Sequence, residues 1–208
     1  MMPWLGVAST IKGILKNIFA KSVKQSKNER ILEEMLSEDG ISIVDPAMAD
    51  HGKLYYGFDG AFAHKMAELC AVADIIVPNM AEASYMLDIP YVAEGYSEEY
   101  VKDVLRRLCD MGAKRAVLTG VSLQDNVTGA MGYDSTTGEF FSYYHDRIPV
   151  SYHGTGDVFA SACVGALMRD KTLPEAIAVA ADFTYESIRL TEAEEGHNWY
   201  GDNFEQAI

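Results

Sequence analysis

This sequence of 208 residues has no long apolar segment. The uncharged apolar stretch from Val158 to Met168 ends at Arg169 after 11 residues, whereas a helix that crosses a membrane needs about 20. With 49% hydrophobic residues, the chain still has enough apolar material for one sizeable core. We therefore expect a globular domain and no membrane partner.

Cysteine and positive charge are also scarce. The three cysteines, Cys70, Cys109 and Cys163, are far apart and form no CxxC pair, which disfavours a disulfide framework or a zinc site and favours a cytoplasmic location. Lys and Arg number 17 against 31 Asp and Glu, so the net charge is −14. A nucleic-acid partner is not expected, because such a protein needs a basic surface to face the phosphate backbone.

Several common catalytic motifs are absent. The chain has no GxxxxGK[ST] motif, and its only similar glycine-rich segment, which begins at Gly154, carries Phe159 where GxGxxG requires its last glycine. These absences exclude the ordinary P-loop and Rossmann cofactor sites. No HExxH or GxSxG motif supports a metallohydrolase or a serine hydrolase.

The first 30 residues differ from the remainder in charge. Residues 1–30 contain six Lys and Arg against Glu29 alone, which gives +5 here and −19 for the remaining chain. Apolar residues at helical spacing between Ile11 and Val23 predict a basic amphipathic helix. A helix that packs on the domain or on a second copy is favoured and an organellar transit peptide is an alternative, whereas Pro3 and the apolar start before the lysines disfavour a secretory signal.

From residue 40 onwards, short apolar strands alternate with amphipathic helices. The elements predicted are strands at 41–44, 74–77, 115–119, 127–133 and 139–146, and helices at 58–72, 79–87, 98–111, 155–168 and 174–190. The β-α-β-α-β order predicts a parallel sheet covered by helices, and the last two strands predict an antiparallel hairpin at its edge. Ligands are expected at the carboxyl ends of the parallel strands.

The segment Gly154, Thr155, Gly156, Asp157 opens an apolar helix. Consecutive backbone N–H groups at such a turn can bind a phosphate at the positive end of the helix dipole. Asp157 in the first turn can accept a proton from a hydroxyl group that attacks that phosphate. The alternative is a turn in which Thr155 or Asp157 only caps the helix.

Two further segments follow predicted strands. Asn79 and Glu82 come directly after the second strand, where an amide and a carboxylate can hold a hydrated Mg²⁺; alternatively, they form a capping box that starts a helix. Asp45, Asp50 and Tyr55 lie in a turn-rich segment after the first strand, which is either a further part of the site or only a loop.

Together these segments resemble the ribokinase-like superfamily, and specifically its pyridoxal kinase branch. Gly154 to Asp157 resembles the GTGD anion hole with its catalytic aspartate, Asn79 to Glu82 resembles the NxxE magnesium motif, and Asp45 to Tyr55 resembles the DPVMxDxGxxY loop. Leu118-Thr119-Gly120 resembles the nucleotide-contacting strand end, and Tyr200-Gly201 with Phe204-Glu205 resembles the C-terminal signature. The fold implied is an α/β three-layer sandwich with a mostly parallel central sheet.

The resemblance implies that ATP and Mg²⁺ are used to phosphorylate the 5′-hydroxymethyl group of pyridoxal, pyridoxine or pyridoxamine. The residue roles it implies are Asp157 as general base, Gly154, Thr155 and Gly156 as the anion hole, Glu82 and Asp50 at the metal, Thr119, Gly120, Asn79, Ile148 and Val150 at the nucleotide, and Asp45 and Tyr55 in the substrate and phosphate loop. We expect a small-molecule partner of the vitamin B6 class and a homodimer.

One departure from the family concerns the beginning of the chain. The substrate-contacting strand that opens family members is not recognisable before residue 40, so we expect an N-terminally truncated kinase domain at 40–208 that keeps the ATP-binding half, preceded by an atypical basic head at 1–39. The alternatives are a hydroxymethylpyrimidine kinase, which shares the DPxM core, and a catalytically impaired nucleotide-binding remnant with an interaction role.

Overall fold

The structure is a computed structural model that describes residues 30, 34–37, 40–150, 152–194 and 204–207. The amphipathic helix predicted between Ile11 and Val23 and the Tyr200-Gly201 pair lie outside these residues. No helix in the described ranges combines the length and the apolar character that crossing a membrane requires.

Short strands and helices alternate along the described chain. In order they are β1 (Ile43–Val44), β2 (Ala49–Asp50), β3 (Lys53–Leu54), α1 (Gly60–Cys70), β4 (Ile75–Ile76), α2 (Met80–Leu87), α3 (Glu98–Asp110), β5 (Arg115–Val121), β6 (Val127–Asp134), β7 (Glu139–Asp146), α4 (Thr155–Leu167), α5 (Leu173–Ala193) and a 3₁₀ turn (Phe204–Ala207). Each strand and helix predicted from residue 40 onwards is present, with ends that differ by no more than three residues.

The central sheet has the strand order β1-β4-β5-β6-β7. The strands β1, β4 and β5 run parallel, and β6 and β7 add an antiparallel hairpin. This topology confirms the predicted parallel sheet with an antiparallel edge, and it brings the carboxyl ends of β1, β4 and β5 to one edge of the molecule.

Two apolar clusters lie on opposite faces of this sheet. Alternate strand residues such as Ile76 and Leu118 pack with α1, α2 and α3, whereas Ile75 and Val117 face α4 and α5. Each fully buried side chain of this size contributes about 1.5–3 kcal/mol through removal of apolar surface from water. The result is the predicted three-layer sandwich, with helices on both faces of the sheet.

A small hairpin, β2 paired with β3, lies beside the carboxyl end of β1 and was not predicted. His51 and Gly52 form its turn, both with positive φ. A Cβ at residue 52 would come within 2.5 Å of the Tyr91 ring, so a glycine is required there for space as well as for backbone conformation. The hairpin holds Asp50 at the edge where the parallel strands end.

Candidate active site

The carboxyl edge of the sheet encloses a cavity of about 260 Å³, hereafter the acidic cavity. Segments that are far apart in sequence form its walls. The candidate residues that line it are Asp45, Asp50, Tyr55, Asn79, Glu82, Thr119, Gly154, Thr155, Gly156 and Asp157. The structure therefore brings all three predicted motifs to one place.

Helix α4 begins at this cavity without a side-chain cap. Its N-cap residue is Gly154, in a left-handed conformation with φ of 94°, and no side chain accepts a hydrogen bond from the first turn. Neither Thr155 nor Asp157 caps the helix through its side chain, and the Thr155 hydroxyl donates to the Tyr152 carbonyl at 3.3 Å. The first N–H groups of α4 are thus available to an anion, and Asp157 lies beside them in the same turn.

Helix α2 begins with a complete capping box, which confirms the structural interpretation of the Asn79 motif. The Asn79 side chain accepts from Glu82 N–H at 3.0 Å, and Glu82 Oε2 accepts from Asn79 N–H at 2.8 Å. Glu82 Oε1 also accepts from Met48 N–H at 3.0 Å. Glu82 therefore holds the loop after β1 against the start of α2, and burial raises its pKa to about 7.

The Asp45 loop contributes two more carboxylates and a phenol. Burial raises the pKa of Asp45, and the nearby charge of Asp157 adds to this shift. The Tyr55 pKa is also raised, by burial and then by the surrounding carboxylates, of which Asp50 is the largest contributor. Asp50 itself accepts a hydrogen bond from His51 N–H at 2.8 Å.

The acidic cavity has a marked charge imbalance. Four carboxylates line it, and no Lys or Arg is present among its described lining residues. Oxygen donors of this type suit a hard divalent cation such as Mg²⁺, which commonly uses one or two carboxylates and completes its shell with water and phosphate oxygens. The described residues contain no group of three or more His, Cys, Asp or Glu arranged around a single metal position.

A second cavity of about 310 Å³, hereafter the apolar cavity, adjoins the first. Gly120, Ile148 and Val150, which the sequence assigned to the nucleotide, all line it. The residues that line both cavities are His51, Thr119, Tyr152, Thr155 and Gly156. The start of α4 is thus a wall common to the two.

Strand β5 reaches both cavities through an irregularity near its end. Its register with β6 shifts between Thr119 and Val121, and Gly120 has a positive φ of 67°. Thr119 N–H donates to the Pro78 carbonyl at 3.0 Å, which ties this strand to the residue before Asn79. The bulge therefore holds Thr119 where it lines both the acidic cavity and the apolar cavity.

Sequence reasoning missed several lining residues of the apolar cavity. Ala181, Thr184, Tyr185 and Ile188 of α5 line it together with Phe159 of α4. The spacing of the four α5 residues, i, i+3, i+4 and i+7, identifies one helix face. This spacing was a usable signal, but only the packing of α5 shows that the face borders a cavity.

The fold is a three-layer α/β sandwich, and an uncapped helix start faces an acidic cavity at the carboxyl ends of its strands. These features define the ribokinase-like class of fold. The chain belongs to the phosphomethylpyrimidine kinase family, whose sequence model matches residues 19–201. Members of this family are kinases that phosphorylate an alcohol group. The match begins inside the segment 1–39 that we predicted as a separate head.

Individual relatives are similar along most of this chain. The hydroxymethylpyrimidine/phosphomethylpyrimidine kinase of Aquifex aeolicus is 28% identical over 188 residues, which is 88% of this chain and 61% of that protein. A Bacteroides thetaiotaomicron structure assigned as a phosphomethylpyrimidine kinase has a TM-score of 0.79 and 30% identity, and the match covers 88% of this chain and 65% of that one. Another crystal form of it contains pyridoxal.

Pyridoxal kinases are structural neighbours of this chain. The enzyme from Lactobacillus plantarum has a TM-score of 0.70 and 28% identity, and the match covers 80% of this chain and 60% of that one. The resemblance to the pyridoxal kinase branch therefore needs a partial correction, because the family that matches is named for the pyrimidine substrate. The chain spans less than two thirds of the length of each of these relatives.

Proposed function

We propose that this protein transfers the terminal phosphoryl group of ATP to the hydroxymethyl group of a six-membered, nitrogen-containing aromatic ring, with a hydroxymethylpyrimidine as the acceptor. The observation that carries the proposal is the uncapped start of α4, whose free N–H groups and Asp157 face the acidic cavity. The family match and the Aquifex aeolicus relative support the choice of a pyrimidine.

The chemistry needs positioning and charge stabilisation more than covalent participation. Backbone N–H groups at Thr155 and Gly156 would bind the oxygens of the transferred phosphoryl group, where negative charge builds up in the transition state. Bound Mg²⁺ would neutralise phosphate charge, with Asp45 and Asp50 as its protein ligands. Both carboxylate oxygens of Glu82 already accept hydrogen bonds from backbone N–H groups, so Glu82 would bind the metal through a water molecule.

Asp157 would take the proton from the attacking hydroxymethyl oxygen. Its carboxylate lies in the first turn of α4, so the group that accepts the proton and the groups that bind the phosphoryl oxygens belong to one rigid turn. The hydroxyl then becomes a better nucleophile at the moment when the bond to the terminal phosphorus forms and the bond to ADP breaks.

A pyridoxal-type acceptor is the second candidate, and one specific observation favours it. Asp50, His51, Gly52 and Tyr55 continue the DPxM core in the way that resembles pyridoxal kinases, and three of these residues, Asp50, His51 and Tyr55, line the acidic cavity. The Bacteroides thetaiotaomicron crystal form with pyridoxal is a further reason to test this vitamer.

The decisive experiment incubates the purified chain with MgATP and, separately, with hydroxymethylpyrimidine, pyridoxal, pyridoxine and pyridoxamine. ADP release and the mass of the phosphorylated product are measured. We expect the highest kcat/KM with the pyrimidine; higher values with a pyridine would select the second candidate. Nucleotide binding without transfer to any acceptor would contradict the proposal and support a nucleotide-binding remnant.

A further inference from the structure

Helix α4 presents an uncharged face to solvent. The chain between Asp157 and Arg169 has 11 consecutive residues without a charge. Val164 and Met168 lie within this stretch and are 37% and 67% exposed. A helix without charge around its whole circumference is normally covered on all sides, so this face of α4 calls for a partner.

Helix α3 shows how a helix face that contacts water is built in this protein. All of its exposed residues are charged, and they are Glu98, Glu99, Asp103, Arg106, Arg107 and Asp110. On α4 and its C-cap residue, the exposed positions after Asp157 are Ser161, Val164, Gly165 and Met168. Their spacing, i, i+3, i+4 and i+7, places them in one stripe, hereafter the uncharged face.

Helix α4 lies towards the end of the sheet that β1 forms. Helix α5 packs on β6 and β7, and α4 packs beside α5, so α4 is displaced towards β1. Ile43 of β1 packs against the apolar cluster that contains Phe159 and Cys163 of α4. Among the described residues β1 pairs only with β4, and Ile41, two residues before it, is 49% exposed. An open strand edge and the uncharged face therefore occur at the same end of the sheet.

Charge favours one occupant of this face over another. The first 30 residues carry a net charge of +5, and the remaining chain carries −19. A second copy of the protein would bring a further net charge of −14 towards this chain, which opposes close contact. The N-terminal segment would bring the opposite charge, and its covalent link to β1 makes the contact an intramolecular one with a high effective concentration.

The N-terminal segment also has the apolar residues and the length that the uncharged face requires. Its apolar residues at helical spacing include Ile11, Ile14, Leu15 and Ile18. As a helix, residues 11–23 would be about 20 Å long, and the uncharged stretch of α4 spans about 16 Å. Residues 24–33 can bridge at most about 35 Å, which is enough to reach along a helix of this length.

We propose that residues 11–23 pack against the uncharged face of α4 within the same chain, with their apolar side chains on Val164 and Met168. This contact covers the helix whose first turn carries Asp157, at the end of the sheet where β1 has a free edge. The inference does not depend on the proposed function, because it uses only the exposure of α4 and the charges of two parts of the chain.

The experiment measures how fast a cysteine at residue 168 reacts with a small maleimide in the full-length chain. Asp103→Cys, on the exposed face of α3, is the reference. The three native cysteines are buried, so their reaction would report unfolding. Met168→Cys should react at least about tenfold more slowly than Asp103→Cys. Its rate should stay the same over an about hundredfold range of protein concentration, because the contact is intramolecular.

A matched pair of substitutions tests the apolar residues of the segment. Ile18→Asp and Asn17→Asp each add one negative charge, but only Ile18 belongs to the apolar stripe. Ile18→Asp should raise the reaction rate of Met168→Cys about tenfold, whereas Asn17→Asp should leave it within about twofold. In the double variant Ile18→Cys, Met168→Cys, a short bis-maleimide should join the two cysteines within one chain and give a product of monomer mass.

Three results would each overturn the inference. Equal reaction rates of Met168→Cys and Asp103→Cys would show that the uncharged face is bare. A slow reaction that becomes faster on dilution, or a cross-linked dimer, would show that a second copy covers it. Equal effects of Ile18→Asp and Asn17→Asp would show that the apolar stripe does not make the contact. None of these measurements involves phosphoryl transfer, so the proposed function succeeds or fails separately.

Discussion

Carboxylates at the two ends of the sheet have pKa shifts of opposite direction. At the amino end, Asp74 Oδ2 accepts hydrogen bonds from the Ser42 N–H and hydroxyl at 2.9 and 2.8 Å, and its Oδ1 accepts from Lys114 Nζ at 2.5 Å. Asp134 accepts from Arg115 Nε at 2.6 Å. Burial alone would raise the pKa of Asp74, but the hydrogen bonds from Lys114 and Ser42 outweigh it and hold this pKa below its ordinary value.

At the carboxyl end, the acidic groups accept hydrogen bonds from backbone N–H groups but have no Lys or Arg partner among the described residues that line the cavity. The pKa values of Asp45 and Glu82 are raised, chiefly by burial, and no Lys or Arg lines the acidic cavity within the described residues. Carboxylates of this kind reduce the stability of the ligand-free protein, and their presence is typical of a functional site. The comparison therefore separates carboxylates that stabilise the fold from carboxylates that are available to a ligand.

The largest effect is expected from Asp157→Asn at the carboxyl end. Loss of the general base should lower the rate of phosphoryl transfer by about 10²- to 10⁴-fold, while MgATP affinity is kept or slightly increased because one negative charge is removed. Steady-state kinetics and titration calorimetry measure the two quantities. Asp103→Asn, on the exposed face of α3, is the control, and near-normal turnover in Asp157→Asn would contradict the assigned role.

At the amino end, Asp74→Asn should lower the free energy of unfolding by about 2 kcal/mol at neutral pH, because charge-assisted hydrogen bonds are lost. The folded-state pKa of Asp74 lies below its unfolded value, so its contribution is fully present above about pH 4 and is lost as the pH falls through the folded pKa. Urea unfolding at neutral and acidic pH measures this difference. A difference that does not become smaller as the pH is lowered below about 4 would contradict the explanation.

A third test isolates the start of α4. Gly154 and Gly138 have positive φ values of 94° and 77°, and a Cβ at either position would meet no atom within 4 Å. Gly154→Ala and Gly138→Ala should therefore both cost about 1 kcal/mol of stability through backbone strain. Only Gly154→Ala should also weaken tripolyphosphate binding, by several-fold, because it displaces the N–H groups of the turn. Equal binding by the two variants would contradict an anion site at Gly154.

The smallest effect has the opposite sign to that of Asp74→Asn. Because the folded-state pKa of Asp45 is raised, its ionised form is disfavoured in the fold, and Asp45→Asn should increase the free energy of unfolding by about 0.5–1 kcal/mol at neutral pH. This gain should disappear below about pH 4, where the carboxyl group is protonated in both states. A loss of stability at neutral pH would show that Asp45 belongs with the structural carboxylates.

Much of the fold was predictable because its local signals agree. Ser97 and Asn79 accept hydrogen bonds from the third residue of their helices, and β5 has the continuous apolar run from Ala116 to Leu118 that is typical of a strand buried on both faces. The β2–β3 hairpin was not predictable from the same signals. Its strands have two residues each, which is too few to show a periodicity. The glycine at residue 52 is required because the Tyr91 ring lies close to it, and Tyr91 lies outside the hairpin segment.

The sequence motifs of the candidate site were predictable, whereas the hydrogen bonds and backbone conformations within it were less so. The carboxyl-edge rule for parallel sheets predicted that Asp45 and Asn79 lie at one edge, and the family resemblance added Thr119. It did not show that Glu82 is engaged by Met48 N–H, or that Gly154 serves as the N-cap instead of a side chain. The α5 residues that line the apolar cavity were missed because their spacing identifies a helix face but not what that face borders.

The wall that the two cavities share has a thermodynamic consequence. Thr155 and Gly156 border both, so ligands bound in the two cavities would contact the same backbone turn. Linkage then requires that any effect of one occupant on the affinity for the other be reciprocal, with the same factor in both directions.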